Sequence, residues 1–308
     1  MNNPALKLEL SEPQTWENLN YQVLTIELTT RDRLITPADI SDIELPANLN
    51  PRGGIVISGR APIWLYSYLT HEYHPTNWIA CYDPRLGAVV TATHTREVKV
   101  GQVIPLTVTN GRQNSSNDLC PALLIVGPPN SGKSVLSHVL FQTLLSTNPD
   151  IYLQRAHWDG EGNYVLELGA DATEAEIERF KAANKGQLSS RFFPYHAQAI
   201  LQLRRQKALV IVDVGGMVQP EKLPLLEACT HYLIISSQAE EIAKWHEFCH
   251  DRGNLLPVAE IFSVLTDVKM VLEEKPYLKM TAGPWICGET KTLPKQLLAR
   301  VSRLLVNR

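Results

Sequence analysis

The chain has 308 residues, of which 44% are hydrophobic and 20% are charged, a composition typical of a soluble protein with about two domains. The first 110 residues carry 8 Lys and Arg against 11 Asp and Glu, and the remainder carries 21 of each. Because neither part is basic, binding of long nucleic acids through their phosphates is not expected. Five scattered cysteines, no secretory leader and no membrane-spanning apolar run predict a cytoplasmic protein without a disulfide framework.

The first part of the chain is rich in β-forming residues and contains one helix-like segment. Pro62 suits the first turn of a helix, and the turn Asp83-Pro-Arg-Leu-Gly87 lies between two strand-like runs, which predicts a hairpin. The predicted elements are strands at 21–28, 54–58, 78–82, 88–93 and 103–108 and a helix over 63–71.

Residues 109–118 are polar and lack periodicity, which predicts a linker. We therefore assign one domain to residues 1–110, a linker to 111–120 and a second domain to 121–308. In the second domain strands and helices alternate, which predicts a mostly parallel three-layer α/β sheet. Its predicted strands are 122–126, 151–156, 208–212, 232–236 and strand-like stretches around 257–275, and its predicted helices are 133–146, 173–184, 188–205, 221–228, 239–251 and 294–306.

The segment from Gly127 to Ser134 reads G-x-x-x-x-G-K-S and lies between a predicted strand and a predicted helix. In that setting the backbone N–H groups surround a phosphate, and the helix N-terminus adds a favourable positive potential. Lys133 then reaches the terminal phosphates, and Ser134 holds Mg²⁺. We predict a P-loop NTPase domain whose phosphate site includes Gly127, Asn130, Gly132, Lys133 and Ser134.

A second part of this nucleotide site is predicted where the strand 208–212 ends. The carboxylate of Asp213 suits Mg²⁺, and the alternative is a turn-forming Asp at the end of a strand. Gly215 and Gly216 would let the next loop approach the γ-phosphate. Residues 213–216 also fit D-x-x-G of GTPases, but the guanine-reading N-K-x-D is absent, so ATP is predicted. Asp159 and Glu161 either position a water or an acceptor hydroxyl or belong to a solvated glycine turn, and Trp158 is a candidate for stacking on a base.

Titratable residues gather around the predicted helix and hairpin of the first domain. His71 and His74 are three residues apart at the helix end, Asp83 and Arg85 lie in the hairpin turn, and His94 follows the second hairpin strand. Two imidazoles and a carboxylate suit Mn²⁺, and a guanidinium can bind a phosphodiester through two hydrogen bonds. The structural alternative is that a histidine at a helix end caps carbonyls and that D-P-x-x-G is a common turn.

The run RGGIVISGRAPIWLYSYLTHEYH from Arg52 to His74, the block DPRLGAVV from Asp83, and His94 resemble a small family of type III CRISPR-associated ring nucleases. The resemblance covers residues 5–108 and implies a ferredoxin-like α+β domain that cleaves cyclic tetra-adenylate with Mn²⁺. It also implies a homo-oligomer that binds the ligand between subunits. The predicted site residues are His74, Asp83 and Arg85 for cleavage, Ser58, Arg60 and His71 for substrate binding, and His71, Asp83 and His94 for Mn²⁺. The second domain resembles an AAA-like domain appended in longer relatives.

We therefore expect a ring nuclease that linearises cyclic tetra-adenylate, ends type III CRISPR signalling and is regulated by ATP and Mg²⁺. Attack by the 2′-OH, with His74 as the base and Arg85 and the metal stabilising the developing charge, is favoured over attack by a Mn²⁺-bound hydroxide. Two alternatives stay open. One is a sensor of cyclic oligoadenylate that controls the ATPase, and the other is a phosphotransferase that acts on a nucleotide.

Overall fold

The computed structural model describes residues 5–30, 34–106, 108, 119–157, 173–184, 189–288, 290 and 292–306. The chain divides into two compact units, Met1–Gln113 and Asn114–Arg308. Each unit is built on its own seven-stranded sheet. Residues 111–118 of the assigned linker lie outside the described residues. None of the helices in the described part of the chain is both long and apolar enough to cross a membrane.

The first unit is a mixed sheet with the helix α1 packed on one face. Its elements are β1 Leu6–Leu10, β2 Gln14–Trp16, β3 Leu19–Leu28, β4 Gly54–Gly59, α1 Ile63–Glu72, β5 Trp78–Asp83, β6 Gly87–Thr93 and β7 Val103–Ile104. The strand order is β1-β3-β4-β5-β6-β7, with β2 added beside β3. The β3–β4 and β4–β5 pairs are parallel, and the remaining pairs are antiparallel.

The helix α1 connects two neighbouring parallel strands and therefore runs back along the sheet between them. Its buried Leu65 and Leu69 pack on Ile55, Ile57 and Ile79 of β4 and β5. A parallel pair requires such a crossover, so the end of α1 lies at the start of β5 and not at its end. This reversal determines which functional side chains can meet.

The first unit combines a helix with a sheet, as expected of an α+β domain, but the order of its elements along the chain differs from the expected ferredoxin-like order. β1 and β2 were not predicted, although Leu6–Leu10 alternates apolar and polar residues. The ferredoxin-like order is β-α-β-β-α-β. Here β4 and β5 pair directly, and the described residues of this unit contain a single α-helix.

The second unit is a mostly parallel three-layer α/β sheet, as predicted. Its strands are β8 Ala122–Val126, β9 Ile151–Ala156, β10 Leu209–Val214, β11 His231–Ser236, β12 Leu256–Ser263, β13 Val268–Glu273 and β14 Leu278–Gly283. Its helices are α2 Lys133–Leu145, α3 Glu174–Asn184, α4 Phe192–Arg204, α5 Leu223–Ala228, α6 Ala239–His246 and α7 Lys295–Val306. The strand order is β13-β14-β12-β11-β8-β10-β9, and only the β13–β14 pair is antiparallel.

Helices cover both faces of the second sheet. α2 and α7 pack on one face, where Leu140 and Val301 are fully buried, and α4, α5 and α6 pack on the other, where Ile200 and Trp245 are fully buried. The order of strands places β8 in the interior of the sheet, between β10 and β11. The loop after β8 therefore opens at the carboxyl edge of the sheet, the edge at which ligands bind in such folds.

The C-terminal part of this unit departs from the prediction in two places. The stretch around 257–275 is two strands, and a further strand, β14, follows them. The helix predicted over 239–251 ends as an α-helix at His246 and continues as a π-helical turn, Glu247–Arg252.

Candidate functional site

The segment Gly127–Ser134 forms a tight loop between β8 and α2. Gly127 and Gly132 have φ angles of 148° and 93°, and Asn130 has a φ of 59°. Glycine adopts positive φ angles without steric cost, and asparagine does so more often than most other residues. A Cβ atom at Gly127 would lie 1.9 Å from the carbonyl oxygen of Ile235, so only glycine fits there. The loop thus has the glycine-dependent geometry of a phosphate cradle, with Lys133 and Ser134 in the first turn of α2.

Lys133 and the loop after β10 both contact the backbone of this cradle. The Lys133 side chain is buried, and its Nζ donates a hydrogen bond of 2.6 Å to the carbonyl oxygen of Pro128. A Cβ atom at Gly216 would lie 2.4 Å from the backbone nitrogen of Pro129, so the loop that follows Asp213 packs directly on the cradle. The approach of this loop to a γ-phosphate, predicted for Gly215 and Gly216, stays a prediction.

Asp213 is fully buried near the end of β10, in register with Ile125 of β8 and Arg155 of β9. Its Oδ2 lies 3.1 Å from Nε2 of His157, which is also buried. Burial alone would raise the pKa of the Asp213 carboxyl, but the charges of His157, Arg155 and Lys133 outweigh it and lower that pKa. Asp213 is therefore an ionised carboxylate beside the cradle.

The positive groups around Asp213 include two that were not predicted as site residues. Arg155 and His157 are two residues apart at the end of β9, so their side chains lie on the same face of the sheet. In the sequence, Arg155 and His157 stand on alternate residues at the end of a predicted strand. This pattern indicates site residues only once β9 is known to pair with β10, the strand that carries Asp213. The predicted residues Trp158, Asp159 and Glu161 lie outside the described residues.

At the carboxyl edge of the first sheet, Asp83 and Arg85 form a two-pronged ion pair. Nε of Arg85 donates to Oδ1 of Asp83 at 3.0 Å, Nη2 donates to Oδ2 at 2.6 Å, and the backbone N–H of Arg85 donates to Oδ1 at 2.8 Å. Burial opposes ionisation of Asp83, but these hydrogen bonds and the charge of Arg85 lower the pKa of its carboxyl. Ser58, which is buried, and Arg60, which is exposed, lie at this same edge because β4 is parallel to β5.

At the opposite edge of this sheet, three exposed histidines follow the end of α1 and the end of β6. The rings of His74 and His94 are in edge-to-face contact with their centroids 4.5 Å apart. His94 is held there because its N–H donates to the carbonyl oxygen of Asn77 at 2.8 Å. His71 lies in the last turn of α1, and its carbonyl oxygen accepts the N–H of His74 at 3.2 Å.

Within one chain, the five side chains predicted to gather around one linkage do not converge. In the β5–β6 hairpin Trp78 pairs with Thr93 and Asp83 pairs with Gly87. The histidines and the Asp83–Arg85 pair are therefore separated by the length of the strand, about 17 Å for five steps. Spacing along the sequence could not reveal this, because the crossover helix returns His71 and His74 to the start of β5.

The predicted Mn²⁺ ligands His71, Asp83 and His94 are divided by the same separation. Among the described residues, no group of three or more His, Cys, Asp or Glu side chains is arranged to hold a metal ion. A single copy of the chain thus does not fit the metal site that the resemblance implied.

Residues 28–105 match the family model described as CRISPR-associated protein Cas_csx3. An uncharacterised protein of Aquifex aeolicus (strain VF5) is 42% identical over 108 residues, which are 33% of this chain and 96% of that protein. Through its first unit, the chain belongs to the Cas_csx3 family. The second unit of this Cas_csx3 protein lies outside the residues matched by the family model.

The Cas_csx3 chain also has distant similarity to solved nucleotide-binding proteins. The septum site-determining protein MinD of Pyrococcus horikoshii OT3, solved with Mg-ADP, has 12% identity and a TM-score of 0.36 and covers 47% of this chain and 70% of that one. The cell division ATPase MinD of Pyrococcus furiosus has 12% identity and a TM-score of 0.40 and covers 60% of this chain and 99% of that one.

Proposed function

We propose that this protein is a ring nuclease that cleaves cyclic tetra-adenylate to linear products, with a second unit that binds ATP and Mg²⁺. The Asp83–Arg85 ion pair carries the proposal, because it presents a preorganised guanidinium at the edge of the sheet. A guanidinium fixed in this way suits a phosphodiester and the charge that develops on it during cleavage. Arg60 adds a second exposed cation at the same edge.

The separation of the two edges leads us to propose a site shared between copies. One phosphodiester cannot contact both the Asp83–Arg85 pair and His74 of the same chain, because the sheet separates them by about 17 Å. A head-to-tail contact would bring the Asp83–Arg85 edge of one copy to the His74–His94 edge of the next. This arrangement agrees with the intersubunit ligand that the family resemblance implies.

In such a shared site the residues of the chain have separate roles. His74 removes the proton from a ribose 2′-OH, and the 2′-oxygen attacks the adjacent phosphorus. The bond from phosphorus to the 5′-oxygen breaks, and that oxygen takes up a proton from water. Arg85 stabilises the charge on the phosphoryl oxygens, and Asp83 holds the guanidinium in position. The products carry a 2′,3′-cyclic phosphate and a 5′-hydroxyl.

In the second unit, the residues present fit a Mg²⁺–nucleotide complex. The cradle Gly127–Ser134 supplies backbone N–H groups, Lys133 supplies a cation for the terminal phosphates, and Ser134 and the ionised Asp213 are the oxygen ligands that Mg²⁺ prefers. When bound, Mg²⁺ neutralises charge on the phosphates.

The experiment that tests the proposed activity is incubation of purified full-length protein with cyclic tetra-adenylate, with and without Mn²⁺, followed by chromatography. We expect linear products with 2′,3′-cyclic phosphate ends, and a loss of at least about 100-fold in rate for His74→Ala. His250→Ala, an exposed histidine of the second unit, is the matched control and is expected to keep the full rate. Intact ligand after prolonged incubation at micromolar wild-type protein would remove the proposal.

The sensor alternative is favoured by one observation, namely that no metal-binding group exists among the described residues of a single chain. Under that alternative, cyclic tetra-adenylate stimulates ATP hydrolysis and is recovered intact. The variant Lys133→Ala distinguishes the two proposed functions. A ring nuclease with an independent first unit keeps cleaving cyclic tetra-adenylate when the ATP site is disabled.

A further inference from the structure

The segment after β14 packs against the P-loop from the side opposite Asp213. β14, β12 and β11 lie on one side of β8, and β10 with Asp213 lies on the other. Trp285, two residues beyond β14, contacts the cradle directly, because a Cβ atom at Gly132 would lie 2.6 Å from Cβ of Trp285. The indole also packs with Val135 and Val139 in the first turns of α2.

The orientation of Trp285 is set by hydrogen bonds within its own segment. Its Nε1 donates a hydrogen bond of 2.9 Å to the carbonyl oxygen of Ala282, so the indole N–H is already hydrogen-bonded within the protein. The hydroxyl of Thr290 donates to the carbonyl oxygen of Pro284 at 2.9 Å and accepts the N–H of Ile286 at 2.9 Å, which closes the loop. The partly exposed Trp285 can therefore offer a ligand its aromatic surface and not its N–H group.

The direction of a bound nucleotide follows from the positions of the charged residues. Lys133 in the first turn of α2 would bind the terminal phosphates, and Asp213 on β10 would draw their Mg²⁺ toward the β10 side of the cradle. The α-phosphate and the nucleoside must then leave the cradle on the β11 and β14 side. That is the side on which Trp285 lies beside Gly132 and the start of α2.

We propose that Trp285 is the base-binding residue of this unit and stacks on the purine of a nucleoside di- or triphosphate. The inference rests on the proposed nucleotide-binding function and adds to it the place and the chemistry of base recognition. Stacking on an aromatic side chain contributes roughly 5- to 100-fold to affinity per base.

The test compares two ligands that share a triphosphate and differ in the nucleoside, namely Mg²⁺–ATP and Mg²⁺–tripolyphosphate, by calorimetry on the full-length protein. We expect Trp285→Ala to weaken ATP binding by roughly 5- to 100-fold and to leave tripolyphosphate binding unchanged. Trp285→Phe, which keeps an aromatic ring, should retain most of the affinity for ATP. Phe262→Ala, a partly exposed aromatic residue on β12, is the control and should change neither.

Each outcome separates this inference from the function on which it rests. If Trp285→Ala lowers the affinities for ATP and for tripolyphosphate equally, Trp285 only supports the structure of the cradle, and the inference is wrong. Unchanged ATP affinity in Trp285→Ala also overturns it. If the wild-type protein binds neither ligand, the nucleotide-binding function itself fails.

Discussion

At the scale of single residues, the second unit is organised around one buried carboxylate. Asp213 lies 3.1 Å from His157 and feels the charges of Arg155 and Lys133. A buried ion of this kind is stable only when compensated, and here the compensating groups come from β9 and from the P-loop helix. Asp213 thus stays ionised beside the loop Gly127–Ser134.

The first prediction concerns the dependence of ATP binding on Mg²⁺. We expect wild-type protein to bind a fluorescent ATP analogue at least about tenfold more tightly with Mg²⁺ than with EDTA, a difference of ~1.4 kcal/mol. Asp213→Asn should remove this difference, because the amide no longer carries the charge that the metal requires. The control is Asp150→Asn, at the opposite end of β9, where Asp150 pairs with Lys207 at 3.5 Å. An undiminished Mg²⁺ effect in Asp213→Asn would contradict this role.

Residue-level patterns predicted the tight loop Gly127–Ser134 between β8 and α2, but not the separation of His74 from Asp83. The cradle could be predicted because all its members lie within eight consecutive residues with a strand before them and a helix after them. His157 and Trp285 could not, because each becomes a neighbour of the cradle only through strand pairing or through a segment far away in sequence. The same limit explains why His74 and Asp83 were placed together.

At the scale of elements, a polar network joins α6 to the β11–β12–β14 part of the sheet. Nδ1 of His246 lies 2.7 Å from the Tyr232 hydroxyl, and Nε2 lies 3.0 Å from Oε2 of Glu260. The hydroxyl of Tyr277 donates to the same Glu260 oxygen at 3.4 Å. The hydrogen bond from His246 lowers the pKa of the Glu260 carboxyl, although burial opposes the shift.

This network predicts a defined acid sensitivity. Because folding lowers the pKa of Glu260, its carboxylate stabilises the fold above the ordinary value of 4.5, and that contribution is lost as the pH falls through the folded value. We expect Glu260→Gln to lower the free energy of unfolding by about 1–3 kcal/mol at pH 7. The deficit should shrink below pH 4.5. Urea unfolding from pH 7 to pH 3 measures this, with exposed Glu274→Gln as the control. A deficit that is constant across this range would show that charge is not involved.

Most elements of both units follow from apolar periodicity, and the exceptions have physical causes. β14 escaped prediction because Tyr277 to Gly283 reads as a short mixed run next to two prolines, and its pairing with β12 is non-local. The helix after β11 changes to π geometry at Glu247, a change that no pattern of apolar residues specifies. Strand order in both units, and the parallel pairing of β4 with β5 in the first, also lie beyond local patterns, although they decide where the site residues meet.

At the scale of the whole molecule, the account makes assembly a condition for catalysis in the first unit. The Asp83–Arg85 pair and the His74–His94 pair occupy opposite edges of one sheet, and the crossover helix α1 makes this separation unavoidable within a chain. A ring nuclease built on this unit therefore needs at least two copies around each scissile linkage. A ligand between subunits, which the family resemblance implies, stays a prediction.

The most direct test of this shared site is complementation between two inactive variants. His74→Ala and Asp83→Asn are co-expressed with different tags, and complexes that contain both are purified and assayed on cyclic tetra-adenylate. Each variant alone should be inactive. The mixed complex should regain roughly a quarter to a half of the wild-type rate, because a mixed two-copy ring has one of its two shared sites intact and larger rings of random order approach one in four. A mixed complex that is no more active than the separate variants, beside an active wild type, would place both residues in one chain's site and contradict the account.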